Sequence, residues 1–237
     1  VNQIRSGARE NPFGLSVLGY AGASLKLKVG ATYFRRARQQ AESTPDNRRS
    51  LADVLHLQAS YLISVGRLDD ADRVALESVE VAEQIGDLNA ASVGLNIASI
   101  CDHLRGRFPR MLSRSQNNQA YSDGEHKLLR LTSIGLALCE LGQPQVALKV
   151  LRLGPGDQQP QLRVTRATLC GVMALAQARN GALPAAWAAV QELLQMRVAG
   201  ALVPASCSVI LTGPLVATLA CWARAVHKAP SEVTEYR

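Results

Sequence analysis

The sequence predicts an all-α protein, an α-solenoid of about five antiparallel helix pairs closed by a terminal helix. Three observations predict it. Hydrophobic residues make up 47% of the 237 residues and aromatics only 4%. The apolar residues are chiefly Ala and Leu, a mix that favours packed helices over sheet. Glycines able to sit between paired helices recur at Gly30, Gly66, Gly106, Gly142 and Gly181, with gaps of 36, 40, 36 and 39 residues. Seven positions before each stands a small residue, Ala23, Ala59, Ser99, Gly135 or Ala174, and five positions after stand Arg35, Ala71, Met111, Ala147 and Ala186. Two antiparallel helices approach closely only where the side chains at their crossing are small, so a small residue late in the first helix lets the second dock.

The first pair is expected over Leu15–Val29 and Ala31–Glu42, closed by Ser43-Thr44-Pro45. Residues 1–14 form an N-terminal extension. The second pair is the most regular: Leu51–Val65 carries Leu51, Val54, Leu55, Leu57, Ala59, Leu62 and Ile63 at helical spacing, and Leu68–Gln84 carries Ala71, Val74, Ala75, Val79 and Ala82. Gly66 separates these helices and Gly86-Asp87 ends the second. Asp69, Asp70 and Asp72 open that helix, where capping and the positive end of its dipole favour acids. The third pair is Ala90–Leu104 with Phe108–Gln119, running into a polar loop over Ser115–Gly124. The fourth is Glu125–Leu141 with Pro144–Leu153, where Pro144 falls in a first turn and its missing N–H costs nothing. Gly154-Pro155-Gly156-Asp157 and Pro160 break the chain before the fifth pair, Leu162–Asn180 with Pro184–Val198. A last helix over Ala205–His227 closes the array, and residues 229–237 form a frayed tail. No linker divides 15–228, which is read as a single array.

Within this frame the segments Val65-Gly66-Arg67-Leu68-Asp69-Asp70-Ala71 and Ala82-Glu83-Gln84-Ile85-Gly86-Asp87 resemble a known family. Leu136 to Pro144, Ala174 to Gly181, and Thr212 to Ala217 leading to Trp222 extend the likeness over most of 15–225. The family is the tetratricopeptide-like helical C-terminal region of multidomain signalling proteins that join a class III adenylate/guanylate cyclase domain to an AAA-type ATPase. The resemblance implies a regulatory or scaffolding tail with no catalytic residues of its own, since cyclase and ATPase residues would lie upstream. The chain opens on Val1 without a signal-peptide pattern, so it is read as a fragment or the processed end of a longer cytoplasmic protein.

The chemistry carried by the side chains points the same way. Lys and Arg number 26 against 19 Asp and Glu, a net charge of +7. The arginines are dispersed over helix ends and backs without interleaved aromatics, which disfavours nucleic acid. Cys101, Cys139, Cys170, Cys207 and Cys221 lie far apart with no CxxC spacing, as suits buried free thiols rather than disulfides or a metal site. No phosphate loop or dinucleotide fingerprint occurs. His56, His103, His126 and His227 lack paired-ligand spacing. Cys101-Asp102-His103 suggests a nucleophile and base, but neighbours on a helix point apart. Gly19-Tyr20-Ala21-Gly22 reads as close helix packing. The uncharged stretch Leu202–Ala223 has the length of a membrane span, yet Pro204 and Pro214 favour a packed terminal helix. No catalytic, cofactor or metal residue is therefore assigned.

What remains is a surface. In stacked helix pairs the first helices line the concave face, where such arrays bind. Its polar members project as Tyr20, Lys28, Asp53, His56, Ser60, Asn96, His103, Glu140 and Arg179. The function expected is a non-catalytic interaction or regulatory module that binds a protein partner or upstream domains of the same polypeptide. The alternative is the ligand-sensing helical domain of an ATPase-type transcription activator, similar to the maltose-regulon activator class.

Overall fold

The structure, a computed structural model, describes residues 11–24, 29–43, 48–118, 124–154 and 163–195. Among these residues are ten helices and no strand. They are α1 Pro12–Ser24, α2 Gly30–Glu42, α3 Arg48–Ser64, α4 Leu68–Gln84, α5 Leu88–Leu104, α6 Phe108–Asn117, α7 Gly124–Glu140, α8 Pro144–Arg152, α9 Arg163–Arg179 and α10 Leu183–Gln195. The described chain is thus all-α. The terminal helix expected over Ala205–His227 and the overlapping apolar stretch 202–223 lie outside the described residues, as do the tail and residues 1–10. No described helix is long and apolar enough to cross a membrane.

Five turns share one chemistry. After α3, α4, α5, α7 and α9, a glycine adopts a left-handed φ of 77°, 70°, 70°, 75° and 77° respectively, at Gly66, Gly86, Gly106, Gly142 and Gly181. A side chain at such a φ crowds the following carbonyl, so glycine is favoured. The left-handed residue lets two N–H groups fold back on the helix they leave. Gly66 N–H donates to the Ile63 carbonyl at 3.0 Å and Arg67 N–H to the Leu62 carbonyl at 2.9 Å. The same pair of bonds recurs at Gly86–Asp87, Gly142–Gln143 and Gly181–Ala182, satisfying carbonyls that a helix end otherwise orphans. The residue after each glycine then caps the next helix. Its carbonyl accepts from the residue five past the glycine: Ala71, Ala91, Met111, Ala147 or Ala186. Each of these five is at most 1% exposed.

Four of the five register glycines are therefore helix reversals. Gly30 is not. It is the buried first residue of α2, and its carbonyl lies 3.2 Å from where a Gly19 Cβ would stand, so the lack of a side chain at Gly19 serves close approach of α1 to α2. Because the chain does not reverse at Gly30, the register residue Arg35 is exposed, and Phe34 and Ala37 are buried instead. The missing reversal glycine is Gly86, outside the 36-to-40 spacing. With it, the 17-residue helices α3, α4 and α5 follow one another every 20 residues. Where a polar loop is expected from Ser115, α6 continues to Asn117 with Ser115 buried. Pro109 and Pro144 sit in first turns, as their missing N–H allows.

The chain divides into two compact units, residues 1–105 and 106–237. In the first, α1 packs on α2 and α3, α2 on α3, and α3 and α4 on each other and on α5. Leu15, Ala37 and Val54 form one buried cluster beneath Tyr33, and the Phe34 and Tyr61 rings stack with centroids 5.2 Å apart. In the second, α7 packs on α6, α8 and α9, and α9 packs on α8 and α10. Met111, Ile134, Leu138, Leu151, Leu169 and Val172 belong to its continuous core. At Gly135 a Cβ would fall 2.7 Å from Leu151 Cδ2, as expected of a small residue at a crossing.

Two glycines separate strain from crowding. A Cβ at Gly94 would lie 2.6 Å from Ser78 Oγ, 2.7 Å from Val79 Cγ2 and 3.0 Å from the Ala75 carbonyl oxygen, whereas nothing lies within 4 Å of one at Gly66. Gly94→Ala gains helix propensity of about 0.5–1 kcal/mol. It loses about 1–3 kcal/mol to overpacking against a carbonyl that cannot rotate away. Gly66→Ala loses about 1–2 kcal/mol to left-handed strain alone. Urea unfolding is expected to find both variants less stable. Trimming Val79 to Ala is expected to recover part of the Gly94→Ala loss and none of the Gly66→Ala loss.

Candidate functional site

The expected partner-binding residues divide between the two units. Tyr20 stands on α1, Asp53, His56 and Ser60 on α3, and Asn96 and His103 on α5. Spacings of three and four place Asp53, His56 and Ser60 along one stripe of α3. Tyr20, Asp53, His56, Asn96 and His103 are half-buried, and Ser60 is buried. Of these helices α3 is the middle one, packing on both α1 and α5. Glu140 ends α7 and Arg179 ends α9 in the second unit. Lys28 lies outside the described residues.

Glu140 and Arg179 are bound together. Arg179 Nη2 donates to Glu140 Oε2 at 2.9 Å while Nη1 donates to the Cys139 carbonyl oxygen. Reaching from α9 to α7, this guanidinium ties the last turns of two first helices. It acts there as a fastening as much as a contact surface.

Around Asp53 the structure adds two residues that sequence reasoning missed. Arg49 Nε lies 3.6 Å from Asp87 Oδ2, joining the starts of α3 and α5. Asp87 caps α5 by accepting from the Ala90 N–H at 3.0 Å. Burial pushes the Asp53 carboxyl above its ordinary value, outweighing the attraction of Arg49, and Asp87 adds repulsion. The available signal was Asp87 itself, an N-cap residue directly after a reversal glycine.

The acids opening α4 do not cap it, for its N-cap is Arg67 and no side chain accepts there. They are held by arginines instead. Asp70 accepts from Arg67 at 2.6 and 2.9 Å and from Arg73 at 3.2 Å. Asp69 pairs with Arg105, whose Nη1 is also 3.8 Å from Asp72 Oδ2. A further guanidinium, Arg38 on α2, holds Glu77 of α4 with Nη1 to Oε2 at 3.0 Å. In the second unit Arg130 of α7 is half-buried with an Nε that donates to nothing, and burial lowers its pKa.

Cys101 and Asp102 are fully buried while their neighbour His103 is half-buried. Cys101, Cys139 and Cys170 are free and buried. Burial pushes the Cys139 thiol up to about 11 and the Cys170 thiol up to about 12, so neither is a thiolate near neutrality. Among the described residues no three His, Cys, Asp or Glu side chains come together in a way that could hold a metal ion.

Two measurements follow from these burials. Iodoacetamide at pH 7.5 (a pH of about 7.5 keeps a free thiol partly reactive) is expected to leave peptides carrying Cys101, Cys139 and Cys170 unmodified in native protein, and to alkylate them in urea, as read by mass spectrometry. Folded Asp53 keeps its proton to higher pH than unfolded Asp53. Stability is therefore lost as pH rises from the ordinary aspartate value through the folded one. Asp53→Asn is expected to exceed the parent in stability at neutral pH, with the difference closing in acid.

No protein-family model matches the sequence, and no curated protein matches it significantly.

Proposed function

We propose that this chain is a tetratricopeptide-like, non-catalytic helical-repeat module that binds a protein, or another domain of its own polypeptide, through the face of its first helices. The observation that carries this reading is the order of packing. Within each unit every helix touches its sequence neighbours, and first helices also touch first helices: α1 to α3 to α5, and α7 to α9. Nearest-neighbour contact of this kind builds repeat arrays, whose concave surfaces take partners. Half-buried polar groups at Tyr20, Asp53, His56, Asn96 and His103 offer recognition chemistry on those helices. The segments that resemble the cyclase- and ATPase-linked helical regions favour a place in a larger signalling protein. Buried free thiols favour a reducing, cytoplasmic setting.

The test places a photo-crosslinking p-benzoylphenylalanine at His56 or at Asn96 in the full chain. Both positions are expected to capture the same polypeptide, and the same probe at exposed Arg73 is expected not to. Asp53→Ala/His56→Ala/Asn96→Ala is expected to weaken that partner by about tenfold or more. Unchanged affinity in the triple variant, with its helix content intact by circular dichroism, overturns the assignment.

A further inference from the structure

The net charge is not shared between the two units. Residues 1–105 hold twelve Lys and Arg and twelve Asp and Glu, whereas residues 106–237 hold fourteen and seven. In the first unit four of the six acids of α4 are met from within: Asp69 and Asp72 by Arg105, Asp70 by Arg67 and Arg73, Glu77 by Arg38. In the second unit Glu140 and Glu192 are already engaged by Arg179 and Arg166. Helices α6 and α8, both packed on α7, contain Arg110, Arg114, Lys149 and Arg152 and no acid at all. Lys149 and Arg152 are exposed, as is Arg107 at the start of α6, and these three make no ion pair with any described residue.

The face of α8 is not purely charged. Val146, Lys149 and Leu153 recur at spacings of three and four, one stripe of the helix with Arg152 beside it. Val146 is 43% exposed and Leu153, just past the helix end, is 68% exposed. Cations set among bare apolar side chains suit a ligand that is itself both acidic and apolar. A phosphate backbone would satisfy the cations but gain nothing from Val146 and Leu153, and α8 has no aromatic on which a base could stack.

We propose that this face of α8 docks an acidic amphipathic helix of a partner protein. Its carboxylates meet Lys149 and Arg152, and its apolar side chains cover Val146 and Leu153. Arg107 and Arg110 of α6 add to the field that draws it in. The surface belongs to the second helices of the pairs and does not depend on the first-helix face.

The test uses the full chain and fluorescence anisotropy with three labelled probes: a synthetic Glu/Leu/Ala helix with Leu along one side, oligoglutamate of equal charge, and single-stranded RNA of equal charge. The amphipathic probe is expected to bind tightest at low salt. Lys149→Glu/Arg152→Glu is expected to weaken it by about tenfold or more. Val146→Ser/Leu153→Ser is expected to weaken the amphipathic probe and leave oligoglutamate unchanged. Lys149→Gln/Arg152→Gln serves if the charge reversal fails to fold. Absence of binding, or binding indifferent to the changes at 149 and 152, overturns the proposal. RNA binding as tight as the amphipathic probe and unaffected by the serine changes overturns it in favour of nucleic acid. Asp53→Ala/His56→Ala/Asn96→Ala is expected to leave the amphipathic probe bound as before, so failure here and failure of the first-helix reading are told apart.

Discussion

At the end of α3 the last carbonyls have no further turn of helix to bond, and Gly66 resolves this by turning left-handed. Its own N–H and that of Arg67 fold back onto Ile63 and Leu62. The carbonyl of Arg67 is thereby placed to receive the first bond of α4 from Ala71. One torsion angle thus closes one helix and aims the next. The small buried residue at the fifth position then lets the new helix settle against the old one, burying the apolar stripe that neither can bury alone. The same sequence of events is written at Gly86, Gly142 and Gly181.

Charge forms a second layer that tightens what the reversals bring near. Arg38 to Glu77, Arg105 to Asp69 and Arg179 to Glu140 each join residues 36 to 39 positions apart. Arg38–Glu77 and Arg179–Glu140 link helices that are not consecutive, where no turn fixes the spacing, while Arg105–Asp69 ties the end of α5 to the start of its neighbour α4. Being partly exposed, each contributes modestly. Their value lies in fixing the rotation of long helices that slide easily over alanine-rich contacts.

Much of the architecture was legible because reversal needs a residue type that little else can replace. Gly66, Gly106, Gly142 and Gly181 were found by spacing, and the helices around them fall within a few residues of expectation. Gly30 misled because spacing alone does not separate a glycine within a helix from one at a left-handed turn. Ser60 and the pairing of Glu140 with Arg179 were invisible for a related reason. Projection on a helical wheel gives a direction, but the neighbour that buries a hydroxyl or claims a guanidinium comes from another helix. The Asp53–Arg49–Asp87 group needed α3 and α5 to be set side by side before its members met.

The turn at Gly86 sets the length of what repeats in this region. From Arg48 to Arg107 the unit of repetition is one helix and one turn, and the bonds at Gly86 match those at Gly66. The caps that follow are not alike: Asp87 accepts from the Ala90 N–H through its side chain, whereas the side chain of Arg67 makes no cap bond. Twenty residues therefore carry all that one helix needs to end and the next to begin.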